Sequence, residues 1–169
     1  MMSYVMFIKD GGARVGGTRM NQDGTFTSEE LEPGKYTASF MSSDDGLSKY
    51  VVKQAPAFET RVGQVAEVVI ELEEGVAIKG RVNSPTKLEA LHGDQAGSVS
   101  ARKPGADNGM TLAVGKIHMD GSWVMYVPGA GEYAIQCYLG QGGQTEPKTI
   151  LVKDGVPTEE VVIEFKPKP

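Results

Sequence analysis

Asp23-Gly24-Thr25-Phe26, followed by Gly34-Lys35-Tyr36-Thr37-Ala38, returns 97 positions later as Asp120-Gly121-Ser122-Trp123, followed by Gly131-Glu132-Tyr133-Ala134-Ile135. An Asp-Gly pair suits a tight turn in which glycine takes positive φ, and the aromatic residue two places on can enter a core. The Gly-x-Tyr step then opens a strand whose tyrosine fills that core while its hydroxyl reaches a backbone partner at the rim. Further along, Gly63 precedes Val68-Val69-Ile70-Glu71-Leu72 as Gly155 precedes Val161-Val162-Ile163-Glu164-Phe165, with slightly different spacing. A repeat whose length changes fall in turns is what a duplicated β domain should carry.

Working outward, short alternating or β-branched apolar runs occupy residues 4–8, 35–41, 65–72, 76–82, 112–118, 122–127, 132–139, 149–152 and 160–165. Pairs such as Pro33-Gly34, Pro104-Gly105 and Pro128-Gly129 turn the chain between them. The 22 glycines and 9 prolines lack a collagen-like period, so they act as punctuation between many short elements. The expected fold class is all-β: two tandem Greek-key β-sandwiches, residues 1–74 and 75–169, divided near Glu74-Gly75. So short a junction should make the pair rather rigid. One segment reads as helix, near 85–92, with Ser84 as N-cap, Pro85 at the first helical position and Gly93 just past the end. Leu88 and Leu91 would share its buried face.

Charge separates the two halves. Up to Glu74 there are 7 basic and 12 acidic residues, and beyond it 10 of each, so the net −5 belongs wholly to the first half. No basic excess exists to neutralise phosphates, which argues against nucleic acid or an anionic membrane as partner. The lone Cys137 excludes an intramolecular disulfide and a multi-cysteine zinc site. Residues 1–8 do not form a signal peptide and no run approaches membrane-spanning length. The expectation is therefore either a cytoplasmic protein or a piece of a longer exported chain.

The order Asp-Gly-x-Phe, then Leu31-Glu32-Pro33-Gly34-Lys35-Tyr36, then a glycine before a valine-rich last strand, resembles carboxypeptidase regulatory-like domains. The second half repeats it with Trp123 and with Val127-Pro128-Gly129-Ala130-Gly131-Glu132-Tyr133. The resemblance spans nearly the whole chain and implies a transthyretin-like (prealbumin-like) or immunoglobulin-like sandwich. It is hardly specific for function, because this fold hosts many roles. Such domains open with a strand of the form Ile-x-Gly-x-Val. Ile78-Lys79-Gly80-Arg81-Val82 fits and opens the second domain, whereas residues 5–9 align with 99–103, the second strand. The first domain thus lacks its opening strand, and Val5, Phe7 and Ile8 become the candidate strand-pairing edge. Either the chain is a piece cut inside a domain, or another chain supplies the strand.

Residues with chemical potential have plainer readings beside them. His92 and His118 lie on unlike elements without ligand spacing, so no metal is expected. Asp44-Asp45-Gly46 and Asp23-Gly24 could offer oxygen to calcium, but the alternating acidic series is missing and turn chemistry accounts for them. Cys137 alternates with Tyr133 and Ile135, which makes it a small core residue if that side faces inward. The resemblance also brings to mind adhesin domains with a lysine-asparagine isopeptide bond. Their assisting glutamate would fall at Phe40 and Cys137, so none is implied. The tyrosine-arginine-glycine-serine ending of transthyretin-related hydrolases is absent too.

The sequence thus points to a non-enzymatic structural or protein-interaction module, without cofactor, of a surface, secreted or filamentous assembly. Its expected partners are proteins, through self-association or neighbouring domains of a longer chain, with strand donation as the sharper version. The alternative is a carbohydrate- or other ligand-binding accessory module of a larger secreted enzyme, with Trp123, Tyr126, Tyr138 and Tyr50 as the aromatic pool for sugar.

Overall fold

The computed structural model describes residues 3–12, 14–42, 47–91, 93–105, 111–140 and 143–166, and every regular element among them is a strand. The chain divides into two compact units, Met1–Glu74 and Gly75–Pro169.

In the first unit, β1 (Ser3–Lys9), β2 (Arg14–Arg19), β3 (Gly34–Ser42) and β5 (Ala57–Thr60) form a sheet in the order β2-β1-β3-β5. A separate ladder joins β4 (Tyr50–Val52) to β6 (Leu72–Glu74). β3 alternates as the sequence reading requires, with Tyr36, Ala38 and Phe40 buried. The core is small: Val5, Phe7, Tyr36 and Ala38 are buried together, and Phe26, Leu31, Phe58, Val68 and Ile70 only partly cover them.

The second unit carries β7 (Val76–Asn83), β8 (Gln95–Arg102), β9 (Ala113–His118), β10 (Ser122–Val127), β11 (Gly131–Leu139), β12 (Gly143–Gln144), β13 (Lys148–Val152) and β14 (Val161–Glu164). They form one ladder in the order β12-β11-β8-β9-β10-β7-β14, with β13 also paired to β11. Inward residues from near both ends, such as Ile163 and Cys137, belong to one buried cluster, so the sheet must curl around its core. The two faces of the expected sandwich are joined through β9, which pairs along β8 and touches β10 at Trp123↔Ile117 and Val124↔Lys116.

The repeat persists in register. Val5 and Phe7 of β1 face Phe40 and Ala38 of β3, as Val99 and Ala101 of β8 face Cys137 and Ile135 of β11. The Tyr36 hydroxyl donates to the carbonyl of Glu32 at 2.7 Å, and that of Tyr133 donates to Gly129 at 2.9 Å. Each bond ties the strand's entry to the preceding turn, which is the role the Gly-x-Tyr step suggested.

The helix expected near 85–92 is absent. Residues 84–91 are irregular: the amide of Thr86 bonds to Ser84 Oγ at 3.3 Å, and Leu91 donates to the carbonyl of Gln95. Two helical turns supply too few internal bonds to offset nucleation, and local serine bonding competes with them. Leu88 alone is buried, whereas Leu91 is 56% exposed, so the shared apolar face is not realised. His92 lies outside the described residues, as do Asp44, Asp45 and Gly46.

Candidate functional site: an open strand position

The complete strand order of the second unit gives a template for the first. There β7 lies between β10 and β14, antiparallel to the one and parallel to the other. Its inward residues Ile78, Gly80 and Val82 are buried, and Gly80 is opposite both Trp123 and Val161. That closeness explains the glycine, since a Cβ would come within 2.1 Å of the Trp123 ring and 2.4 Å of the Val161 carbonyl oxygen.

Aligned by the repeat, the first unit has segments that correspond to both strands flanking β7. Residues 25–31 stand where β10 should be, with Phe26 in the place of Trp123. Residues 64–70 stand where β14 should be, with Val68 and Ile70 in the places of Val161 and Ile163. Neither segment is a strand. Among the described residues, no backbone hydrogen bond is donated by residues 26–31 or 65–70. The first segment is held near β2 by Thr18, whose hydroxyl donates to the Thr27 carbonyl at 2.6 Å.

Between the two segments runs a groove of about 1070 Å³. Its apolar lining includes Val5, Phe7, Phe26, Phe58, Val68 and Ile70. Phe7 makes an edge contact with Phe58 at 6.0 Å between ring centroids and a tilted one with Phe26 at 6.4 Å. Burial differs between the corresponding residues. Trp123, Val161 and Ile163 are at most 6% exposed, whereas their counterparts Phe26, Val68 and Ile70 are only half-buried. Val69 is 80% exposed against 38% for Val162, and Val65 reaches 93%.

The Asp-Gly turns make the same comparison in backbone. Gly24 and Gly121 have φ of 85° and 82°. Asp23 and Asp120 both accept from the amide and hydroxyl two residues on, in Thr25 and Ser122, and these bonds hold each carboxyl below its usual pKa. Yet the Gly121 carbonyl accepts from the Val82 amide of β7 at 2.9 Å, and a Cβ on Gly121 would meet the Val82 oxygen at 2.5 Å. A Cβ on Gly24 would meet nothing within 4 Å.

Val5, Phe7 and Ile8, the edge residues expected from sequence, lie on β1, which is paired on both sides by β2 and β3. Their strand is central, and Val5 and Phe7 contribute the groove's floor. The open position lies one hairpin away, between 25–31 and 64–70. In the second unit β7 lies between β10 and β14, not beside β8.

The other candidates fall elsewhere. His118 is exposed, with Nδ1 3.2 Å from one Asp94 carboxyl oxygen, while the other Asp94 oxygen accepts from Lys116. Among the described residues, no three histidine, cysteine, aspartate or glutamate side chains are grouped to hold a metal. Cys137 is fully buried beside Tyr133 and Ile135, and burial pushes its thiol up to about 12. Trp123 is a core residue and cannot serve as a sugar platform. Tyr138 is engaged with Arg102 and Gln136, and Tyr50 has Lys49 over its ring at 5.2 Å. No described helix is long and apolar enough to cross a membrane.

No family model matches the chain, and no curated protein matches it significantly. Among solved structures it is similar to the Bacillus anthracis TIE protein, with a TM-score of 0.38 and 14% identity over 98% of this chain and 31% of that one. It is also similar to a streptococcal ancillary pilin, with a TM-score of 0.34 and 11% identity over 99% of this chain and 59% of the other. The chain therefore spans less than two thirds of either.

Proposed function

We propose that this chain is a non-enzymatic structural module of a surface or filamentous protein assembly, whose first unit is completed by a β-strand from another chain. The observation that carries the reading is the groove between residues 25–31 and 64–70, at the position that β7 fills in the second unit. Two segments with free backbone donors and half-buried apolar side chains suit strand addition. The added backbone would satisfy both walls, and alternate side chains would fill the floor. Such joining needs no acid, base or nucleophile.

Hydrogen exchange tests the proposal. Amides of 25–31 and 64–70 should exchange fast in the free monomeric chain and slowly in the assembly recovered from the cell. Fast exchange in both states would overturn it. Slow exchange in the free monomer of the natural polypeptide would overturn it as well, because the strand would then come from the same chain.

A further inference from the structure

The template strand also specifies what the incoming strand should look like. In the second unit the outward side chain next to Gly80 is Arg81, whose Nε lies 4.0 Å from a Glu160 carboxyl oxygen. Arg81 also contributes to holding the Asp120 carboxyl low, after the larger effect of Ser122. Both acids have counterparts in the first unit: Glu160 precedes Val161 as Glu67 precedes Val68, and Asp120-Gly121 repeats Asp23-Gly24. Among the described residues, neither Glu67 nor Asp23 makes an ion pair. Glu29 and Glu30 add to the same rim, with Arg61 as a cation among the lining residues. The first unit has thus kept the acids that meet a strand's cation while lacking the strand.

Resting on the strand-donation reading above, we infer that the donor is a segment of another protein chain with the pattern apolar, any residue, small, cationic, apolar. It runs antiparallel to residues 25–31 and parallel to 64–70. Its small residue sits between Phe26 and Val68, and its arginine or lysine lies beside Glu67 and Asp23. The small position follows from the aromatic opposite it, which left no room for a Cβ on Gly80. The Val161 carbonyl oxygen, 2.4 Å from the same Cβ, has its counterpart at Val68, so glycine is the residue expected there. Apolar residues on either side cover Phe7, Phe26 and Ile70, which supplies affinity. The cation sets register and choice of partner, because an exposed ion pair adds little affinity but penalises the wrong charge.

The probe is a synthetic peptide with the sequence of residues 75–84, Gly-Val-Ala-Ile-Lys-Gly-Arg-Val-Asn-Ser, added to the whole chain. It should bind with one-to-one stoichiometry and protect the amides of both groove walls. A peptide with Arg81→Glu should bind roughly fivefold more weakly at low salt, with the difference fading near 1 M salt. The same peptide should regain the loss on a chain carrying Glu67→Lys. A peptide with Ile78→Asp should not bind. Equal binding of the arginine and glutamate peptides would overturn the charge assignment. If no peptide of this pattern protects the walls although the natural assembly does, the pattern is wrong and strand donation stands. If the assembly does not protect them either, donation falls with it.

Discussion

The two units hold the same turn, the same tyrosine step and the same β-strand register, yet one closes a core and the other does not. Nineteen apolar side chains are buried together in the second unit and four in the first, among the described residues. On the proposed reading the difference traces to one strand. With β7 present, residues 122–127 and 161–164 are strands, each with a ladder partner. Without it, residues 25–31 and 64–70 remain irregular, because an isolated extended segment has no partner for its backbone groups. On the same reading a missing central strand affects three elements, and leaves a groove shaped by both neighbours.

The largest expected effect comes from supplying the missing piece. Placing a copy of residues 75–94, β7 with its following loop, ahead of Ser3 should bury Phe26, Val68 and Ile70. That should stabilise the first unit by about 3 kcal/mol, or roughly 10–20 °C in melting temperature. Calorimetry of the extended chain reads the shift. No change would mean that the two units are not equivalent at this position.

Truncation should expose the same asymmetry on a smaller scale. Ile163→Ala, deep in the closed core, should cost the second unit about 2–5 kcal/mol, whereas Ile70→Ala should cost the first about 1 kcal/mol. In the extended chain the two costs should converge. The only tryptophan, Trp123, reports unfolding of the second unit alone, so denaturant titration followed by its fluorescence separates the units. Gly80→Ala should destabilise that transition by about 1–3 kcal/mol through overpacking against the indole.

Where the units agree, substitutions should cost alike. Tyr36→Phe and Tyr133→Phe each remove one hydroxyl-to-carbonyl bond, and each should lose about 0.5–1.5 kcal/mol in its own unit. A marked inequality would mean that the strand entry depends on the open groove.

The smallest effect concerns Cys137, which has Phe40 as its counterpart. Burial pushes its folded thiol from the ordinary 9.0 up to about 12, so the neutral form is favoured by folding. Its contribution is complete below pH 9, and it is lost as the pH rises through that window, where only the unfolded chain ionises. Alkaline destabilisation of the second unit should be milder in Cys137→Ala. Iodoacetamide should leave the thiol unmodified at pH 8 until that unit unfolds.

Much of this was legible in the chain itself. Alternation in residues 35–41 and 132–139 fixed which side faces inward, and Asp-Gly and Pro-Gly pairs marked the turns, because these are local properties of backbone and side chain. Resemblance to a family whose domains open with Ile-x-Gly-x-Val set the expectation that the first unit lacks its opening strand, and the proposed function builds on that expectation. Which residues that absence leaves unpaired was not local. Val5, Phe7 and Ile8 look like an edge when read in chain order, but sheet order brings β3 beside β1 and moves the vacancy between 25–31 and 64–70. The short helix failed for a related reason, since capping residues mark where a helix could begin while its stability depends on what packs against it. Sequence marked the faces of the strands it showed, though the apolar run 65–72 is irregular up to Glu71 and β2 and β5 carried no such run. Only tertiary structure decided their neighbours, because hydrogen bonds between strands join residues whose distance along the chain carries no record of their pairing.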